Sequence, residues 1–240
     1  MRALLIPGLA ALLLALPAAA AAQDDGWRFV VNPYVLLPSM KGTAGLRRFD
    51  ADVDIGRSDI LDNLNAGYLG YVEASRGRWA IGVDVNYMNV DAAPDLARIH
   101  ADVGQKAVQP MVFYRLNDSV ELLGGVRYNR IRLELATSLE IADGLRREQA
   151  WVDPILGVRY TLPLSERNTF SVLANVGGFG VSSDLAVQVR PMFHFGVGRS
   201  TTIDAGYQYF TMDYEDGSGD ERFAYDVRTT GPLVGVTFRF

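Results

Sequence analysis

The chain has 240 residues, of which 49% are hydrophobic and 21% charged, with no cysteine and a formal net charge of −5. The acidic balance argues against a nucleic-acid partner. The lack of cysteine removes both a disulfide framework and a lipoprotein attachment thiol, and no Pro/Ser-rich linker or block of like charge divides the chain.

Residues 1–22 open with Arg2, continue as an apolar run from Ala3 to Leu16, and reach Ala20 and Ala22 just before Gln23. That is the layout of a cleaved secretory signal, with the cut expected after Ala22. The run is shorter than the roughly 20 apolar residues of a spanning helix. Its removal takes Arg2 away and moves the charge from −5 to −6. The expected mature chain is one outer-membrane barrel domain over residues 23–240. Since no later stretch approaches the length of an apolar helical span, any membrane crossing has to be made by strands.

Period-two alternation recurs along the rest of the sequence. Phe29, Val31, Pro33, Val35 and Leu37 alternate with Arg28, Asn32 and Tyr34. After a weaker segment from Asn65 to Ser75, the residues Trp79, Ile81, Val83, Val85 and Tyr87 alternate with Gly82, Asp84 and Asn86. Val108, Pro110, Val112 and Tyr114 oppose Gln109 and Arg115; Leu122, Val126 and Tyr128 oppose Glu121, Arg127 and Asn129. Val152, Pro154, Leu156, Val158 and Tyr160 oppose Asp153 and Arg159. A second weak segment from Phe170 to Val181 precedes Val187 to Val197, whose opposite side carries Gln188, Arg190 and His194. Ile203, Ala205, Tyr207 and Tyr209 oppose Asp204 and Gln208. The last segment, from Phe223 to Phe240, changes parity near Gly231 and Pro232, which predicts a bulge there.

One side of each strand stays apolar for about nine to eleven residues, the span of a tilted bilayer-crossing strand, while the other side carries full charges. A sandwich core would not accept those charges, so the apolar side is the outside. Aromatic residues near the strand ends, among them Trp27, Trp79, Tyr87, Tyr114, Tyr128, Tyr160 and Phe170, suit interfacial girdles. Short links at Ser75–Arg78, Leu116–Ser119, Pro163–Asn168 and Gly198–Thr201 alternate with longer polar ones at Pro38–Leu64, Asp91–Asp102, Thr137–Arg147 and Asp213–Arg222. The fold class expected is all-β: a transmembrane antiparallel up-and-down β-barrel of ten strands, with eight as the alternative, short periplasmic turns and longer external loops.

Parity sends Arg28, Arg115, Arg127, Arg159, Arg190 and Arg239 inward, together with Glu73, Asp84, Glu121, Asp153, Asp204 and His194. Unpaired charges in so narrow a tube are costly, so they are expected to pair across strands, with Arg127 and Arg159 sharing Asp153 and Glu121. Tyr34, Met111, Phe113, Trp151, Met192 and Phe210 also point inward and fill the section. In the first external loop Ser58 is placed to cap a short helix with Ile60, Leu61 and Leu64 on one face, either folding over the mouth or staying an ordinary loop. Asp50, Asp52 and Asp54 begin like a calcium loop, but Ile55 replaces its turn glycine and Leu61 its closing glutamate. The acidic stretch Asp213–Glu221 is either a solvated loop or a divalent-ion contact to lipopolysaccharide phosphates. No catalytic, cofactor or metal residue is expected, and the protein is not expected to be an enzyme.

The ending, Gly235 followed by Phe238 and the terminal Phe240, resembles the carboxyl-terminal signal of bacterial outer-membrane β-barrel proteins. In that family the barrel-assembly machinery reads the last strand; Leu233 departs from the usual polar residue. The stretches "NPYVLLPSMKGTAGL", "DVDIGRSDILDNL" and "GYVEASRGRWAIGVDVNYMNV" are similar to the opening segments of a proteobacterial group of small barrels of the outer-membrane protein A type. The resemblance implies the outer membrane after signal-directed export. It also implies outer-membrane lipid and lipopolysaccharide, the assembly machinery and periplasmic chaperones as partners, with a monomeric state. The histidines do not fit the enzymes of such membranes: neither has the preceding aspartate of the omptin proteases nor the serine two residues on of the lipid A deacylases. The function expected is a structural or loop-contact role with a charge-paired, closed lumen. A narrow solute channel is the alternative, followed by an envelope-lipid enzyme.

Overall fold

A computed structural model describes residues 26–90, 99–137 and 145–240; the secretory-signal reading lies outside them. The strands are β1 (Arg28–Leu36), β2 (Ser39–Leu46), β3 (Phe49–Ile55), β4 (Leu64–Arg76), β5 (Trp79–Val90), β6 (Ile99–Arg115), β7 (Val120–Thr137), β8 (Leu145–Pro163), β9 (Asn168–Gly178), β10 (Leu185–Gly196), β11 (Thr201–Asp216) and β12 (Phe223–Arg239), with a short helix α1 (Arg57–Asn63) between β3 and β4. Every pairing is antiparallel, and β1 with β4 to β12 closes a ring of ten strands through the β1–β12 pair. At the seam, Phe29 N–H donates to the Phe240 carbonyl at 3.1 Å and Phe240 N–H returns the bond at 2.9 Å.

Alternation decides which side chains face out. Ile81 is 58% exposed and Leu156 60%, whereas Asp84 and Arg127, on the other parity, are buried. An apolar exterior around a closed, hydrogen-bonded ring is the arrangement that satisfies every backbone polar group in lipid. At one end the connections are tight. Gly77, with φ 59°, turns β4 into β5, and the Asn117 carboxamide oxygen accepts from the backbone N–H groups of Ser119 and Val120 between β6 and β7. This short-turn end is periplasmic in barrels of this kind.

The other end departs from the sequence reading. The segment expected as one long loop from Pro38 to Leu64 contains the β2–β3 hairpin and α1. β2 pairs with β12 above the point where β1 stops, from Ser39 opposite Thr230 to Leu46 opposite Phe223. The Ser58 cap is a correction: the Asp59 carboxylate accepts from Gly56 N–H at 3.0 Å at the helix start, and Ser58 lies inside the first turn. β6, β8 and β11 likewise run into the expected loops, while β7 ends and β12 begins at the expected boundaries. What remains of the loops at 91–98 and 138–144 lies outside the described residues.

The hairpin and these tall strands enclose an apolar core that includes Met40, Leu46, Val53, Ile60, Ile131, Leu133, Met212 and Phe223. Trp151 stacks on Tyr214 with ring centroids 3.8 Å apart. Burial of each such side chain contributes about 1.5–3 kcal/mol. This core explains a second correction. No bulge occurs at Gly231, because β11 and β12 stay in one register from Thr201 opposite Phe238 to Asp216 opposite Phe223. Odd-numbered residues of β12 face inward throughout. Low in the barrel the inside is polar and the outside apolar; high in the barrel Phe223, Tyr225 and Val227 are buried while Asp226 and Arg228 are exposed. The environment inverts and the strand does not.

Prolines shape the wall. The β6–β7 ladder is interrupted at Gln109 and Pro110, and the β10–β11 ladder at Arg190 and Pro191. Opposite each proline carbonyl sits a glycine on the neighbouring strand: a Cβ on Gly125 would lie 2.3 Å from the Pro110 oxygen, and one on Gly206 would lie 2.3 Å from that of Pro191. A side chain at either position would push the two strands apart.

Candidate functional site

The barrel interior collects most of the charged residues selected by parity. On one side, close to the periplasmic mouth, Arg159 (β8) bridges two carboxylates, Glu73 (β4) through Nη1 at 2.6 Å and Glu121 (β7) through Nε at 2.6 Å. Its guanidinium lies 4.1 Å from the centre of the Phe113 ring. Tyr71 donates its hydroxyl to Glu73, and Arg115 reaches Glu121 at 3.5 Å.

The opposite side of the same level carries a belt across five strands. Ser171 Oγ (β9) lies 2.8 Å from His194 Nε2 (β10), and His194 Nδ1 lies 2.7 Å from Asp204 Oδ1 (β11). Asp204 is fully buried. It also accepts from Thr202 Oγ1 at 2.9 Å, Thr237 Oγ1 (β12) at 2.5 Å and Asn32 Nδ2 (β1) at 2.7 Å. Ser171 went unnoticed in the sequence, where an isolated serine in a weak strand carries no signal; only the register of β9 on β10 brings it to the histidine.

Higher up, Arg190 (β10) donates to Asp84 (β5) at 2.6 Å and to Gln208 (β11) at 2.6 Å, while Tyr34 (β1) gives its hydroxyl to Asp84 at 2.6 Å. Arg127 (β7) departs from expectation. It and Asp153 are register partners, yet its guanidinium bonds to the amide oxygens of Gln109 at 2.8 Å, Asn175 at 2.7 Å and Gln188 at 3.2 Å. Its cationic carbon sits 4.7 Å from the Phe210 ring centre. Asp153 accepts instead from Ser183 N at 2.9 Å, Ser183 Oγ at 2.8 Å, Asn129 at 2.9 Å and Trp151 Nε1 at 3.1 Å. The expected sharing therefore holds for Arg159 with Glu121 and fails for Arg127 with Asp153, because uncharged neighbours stand closer to each. Arg28 and Arg239 keep the inward register expected of them but lie exposed at the periplasmic rim, and the expected pairing fails there, with no ion pair for either among the described residues.

Arg127, Asp84, Gln109, Gln188 and Phe210 line a cavity of about 40 Å³, space for a few water molecules. Gly235 faces inward against the backbone of Pro33, and Phe240 is 49% exposed at the closing seam. The acidic stretch of the first external segment is held by cations, with Asp54 on Lys41 at 3.2 Å and Asp50 on Arg222 at 2.6 Å. Among the described residues no group of His, Asp and Glu is arranged to hold a metal ion.

Outside, just above the apolar band, Lys106 (β6) lies over the Tyr87 ring at 4.9 Å. Arg130 and Arg132 (β7) share Glu148 (β8), with Arg132 at 2.8 Å. Arg146 stands 3.9 Å from Glu134 in the same sector. The opposite sector is acidic, with Asp213 facing Asp226 directly across β11 and β12.

Neither a protein-family model nor a curated protein sequence matches the chain. Among solved structures it is similar to Ail, the attachment invasion locus protein of Yersinia pestis, with 11% identity and a TM-score of 0.41 over 90% of this chain and 99% of that one. It is also similar to the outer membrane protease OmpT from Escherichia coli, with 10% identity and a TM-score of 0.47 over 91% and 98% of the two chains. A third is the translocator domain of the autotransporter NalP from Neisseria meningitidis, with 14% identity and a TM-score of 0.37 over 97% and 96%.

Proposed function

We propose that the protein is a non-conducting outer-membrane barrel whose interior is a structural core and whose contacts are made at its two ends and on its outer wall. The observation that carries this reading is the filled section: cross-strand bonded tiers at the Arg159 and Arg190 levels, with a cavity of about 40 Å³ beside Arg127 and an apolar core above them. A hydrated channel has no use for buried pairs that cost several kcal/mol per ion to desolvate. In this reading the hairpin-built extension is the part offered to the outside. The basic sector of Lys106, Arg130, Arg132 and Arg146 faces the phosphates of outer-leaflet lipopolysaccharide. The assembly machinery takes up the barrel as a monomer through β12. Planar-bilayer recording on the refolded full chain tests the closed lumen: silence is expected, and steady unitary openings overturn it in favour of a channel.

A further inference from the structure

We propose that Ser171, His194 and Asp204 act as nucleophile, base and orienting carboxylate at the periplasmic mouth, forming a hydrolytic site for small acyl esters that carry negative charge. The inference goes beyond the closed-lumen reading and stands whether or not the barrel conducts. Its geometry is complete along the proton path: Ser171 Oγ is 2.8 Å from Nε2, and Nδ1 is 2.7 Å from Asp204 Oδ1. Asp204 takes two donors on each oxygen, His194 and Thr202 on Oδ1, Asn32 and Thr237 on Oδ2. A carboxylate so occupied is fixed in place. It holds the imidazole with Nδ1–H toward itself, which leaves Nε2 free to accept the Ser171 proton.

Burial is graded as such chemistry requires. Asp204 is fully enclosed, His194 has 19% of its side chain exposed, and Ser171 is half-buried. Register keeps the three aligned, since His194 is the direct partner of Asp204 across β10 and β11, and Met192, two residues before it, is the direct partner of Ser171 across β9 and β10. Residues on rigid strands place reacting groups more reproducibly than loops do. The substrate charge is argued from the rim. Arg28 and Arg239 occupy inward-facing register positions on β1 and β12, beyond Asn32 and Thr237 toward the mouth, and neither has a carboxylate partner among the described residues.

In the proposed step the bond from Ser171 Oγ to the acyl carbon forms as the hydroxyl proton moves to His194 Nε2. Collapse of the tetrahedral intermediate breaks the ester C–O bond, and the imidazolium returns that proton to the leaving alcohol. Water then attacks the acyl-serine with His194 again taking a proton. The bond from Oγ to carbon breaks, the carboxylic acid leaves, and the proton goes back to Ser171 Oγ.

The test uses the refolded full chain in detergent micelles with a fluorophosphonate probe and peptide mass spectrometry. The expected result is one adduct, on Ser171, absent from Ser171→Ala and slowed about a hundredfold or more in His194→Gln, while both variants keep the heat-modifiable gel migration of the folded barrel. Loss of nothing but stability in these variants, or no adduct on Ser171 in the folded wild type, overturns the proposal. If His194→Gln does not fold, the wild-type and Ser171→Ala arms decide. Among p-nitrophenyl esters, faster turnover of a hemisuccinate than of a butyrate, abolished in Arg28→Gln with Arg239→Gln, supports the anionic substrate class. Equal rates overturn that class.

Discussion

Arg127 and Asp153 stand directly opposite each other on β7 and β8, both buried, and each spends its hydrogen bonds on other residues. Asp153 is the hub for Ser183, Asn129 and Trp151, so it ties the β9–β10 connection to the wall. Its loss strands several buried donors at about 1–3 kcal/mol each. Asp153→Ala is expected to lower stability by about 2–5 kcal/mol in urea unfolding from lipid vesicles. Arg159→Ala should not rescue it, since Arg159 is bonded to Glu73 and Glu121; the two losses should add within about 0.5 kcal/mol. A rescue would mean that the two sites share an unseen charge coupling.

The proline-glycine contacts separate two adjacent glycines. Gly125→Ala puts a methyl 2.3 Å from the Pro110 oxygen, whereas at Gly124 the nearest atom is 3.8 Å away. Overpacking of this kind costs about 1–3 kcal/mol. Gly125→Ala should therefore unfold at distinctly lower urea than wild type, with Gly124→Ala close to unchanged. Equal midpoints would show that the wall relaxes freely around Pro110.

Depth in the lipid band is tested at Val83, which faces outward between Trp79 and Tyr87 on β5. Val83→Arg should cost about 2–4 kcal/mol, as a cation near the bilayer midplane does. The same measurement on Val108→Arg, next to the basic sector, should give a smaller loss. Equal losses would put the apolar band at the wrong height.

Above the membrane, partial burial and the nearby Asp226, Asp184 and Glu215 push the Asp213 carboxyl up from its ordinary value. A carboxyl with a raised folded-state pKa makes the fold relatively more stable below the unfolded value, about 3.9, and that advantage disappears as pH rises through the folded value. At neutral pH Asp213 and Asp226 are like charges placed opposite each other, a cost of about 0.2–1 kcal/mol. Asp213→Asn should stabilise the barrel at pH 7 by that order, and the difference from wild type should vanish on acidification below about pH 4. A variant that is less stable than wild type at pH 7 would contradict the repulsion.

Strand positions and facing were legible because alternation reports them directly: Trp79 to Tyr87 needed nothing but period two. The hairpin was also written there, since Ala51, Val53 and Ile55 alternate with Asp50, Asp52 and Asp54. Three aspartates in seven residues nevertheless read as part of a long polar connection that began like a calcium loop, and the partner that makes β3 a strand lies on β2, itself held by β12. Parity likewise named which charges turn inward but not which meet. Arg159 reaches Glu73 across the lumen rather than along the wall, a contact set by barrel tilt, and tilt has no local signature. The Ser171 to Asp204 belt depends on the same missing information.

The pairing of Ser39 with Thr230 joins residues 191 positions apart. An early segment therefore waits for a much later one. Until β12 arrives, β2 and β3 have only each other as strand partners, a two-stranded ribbon that is marginal by itself in water. Contacts this distant close late and slowly. Completing the ring and sealing its outer cap thus become a single cooperative event, and a chain halted before Phe223 would expose a sticky ribbon at its beginning as well as an open edge at its end.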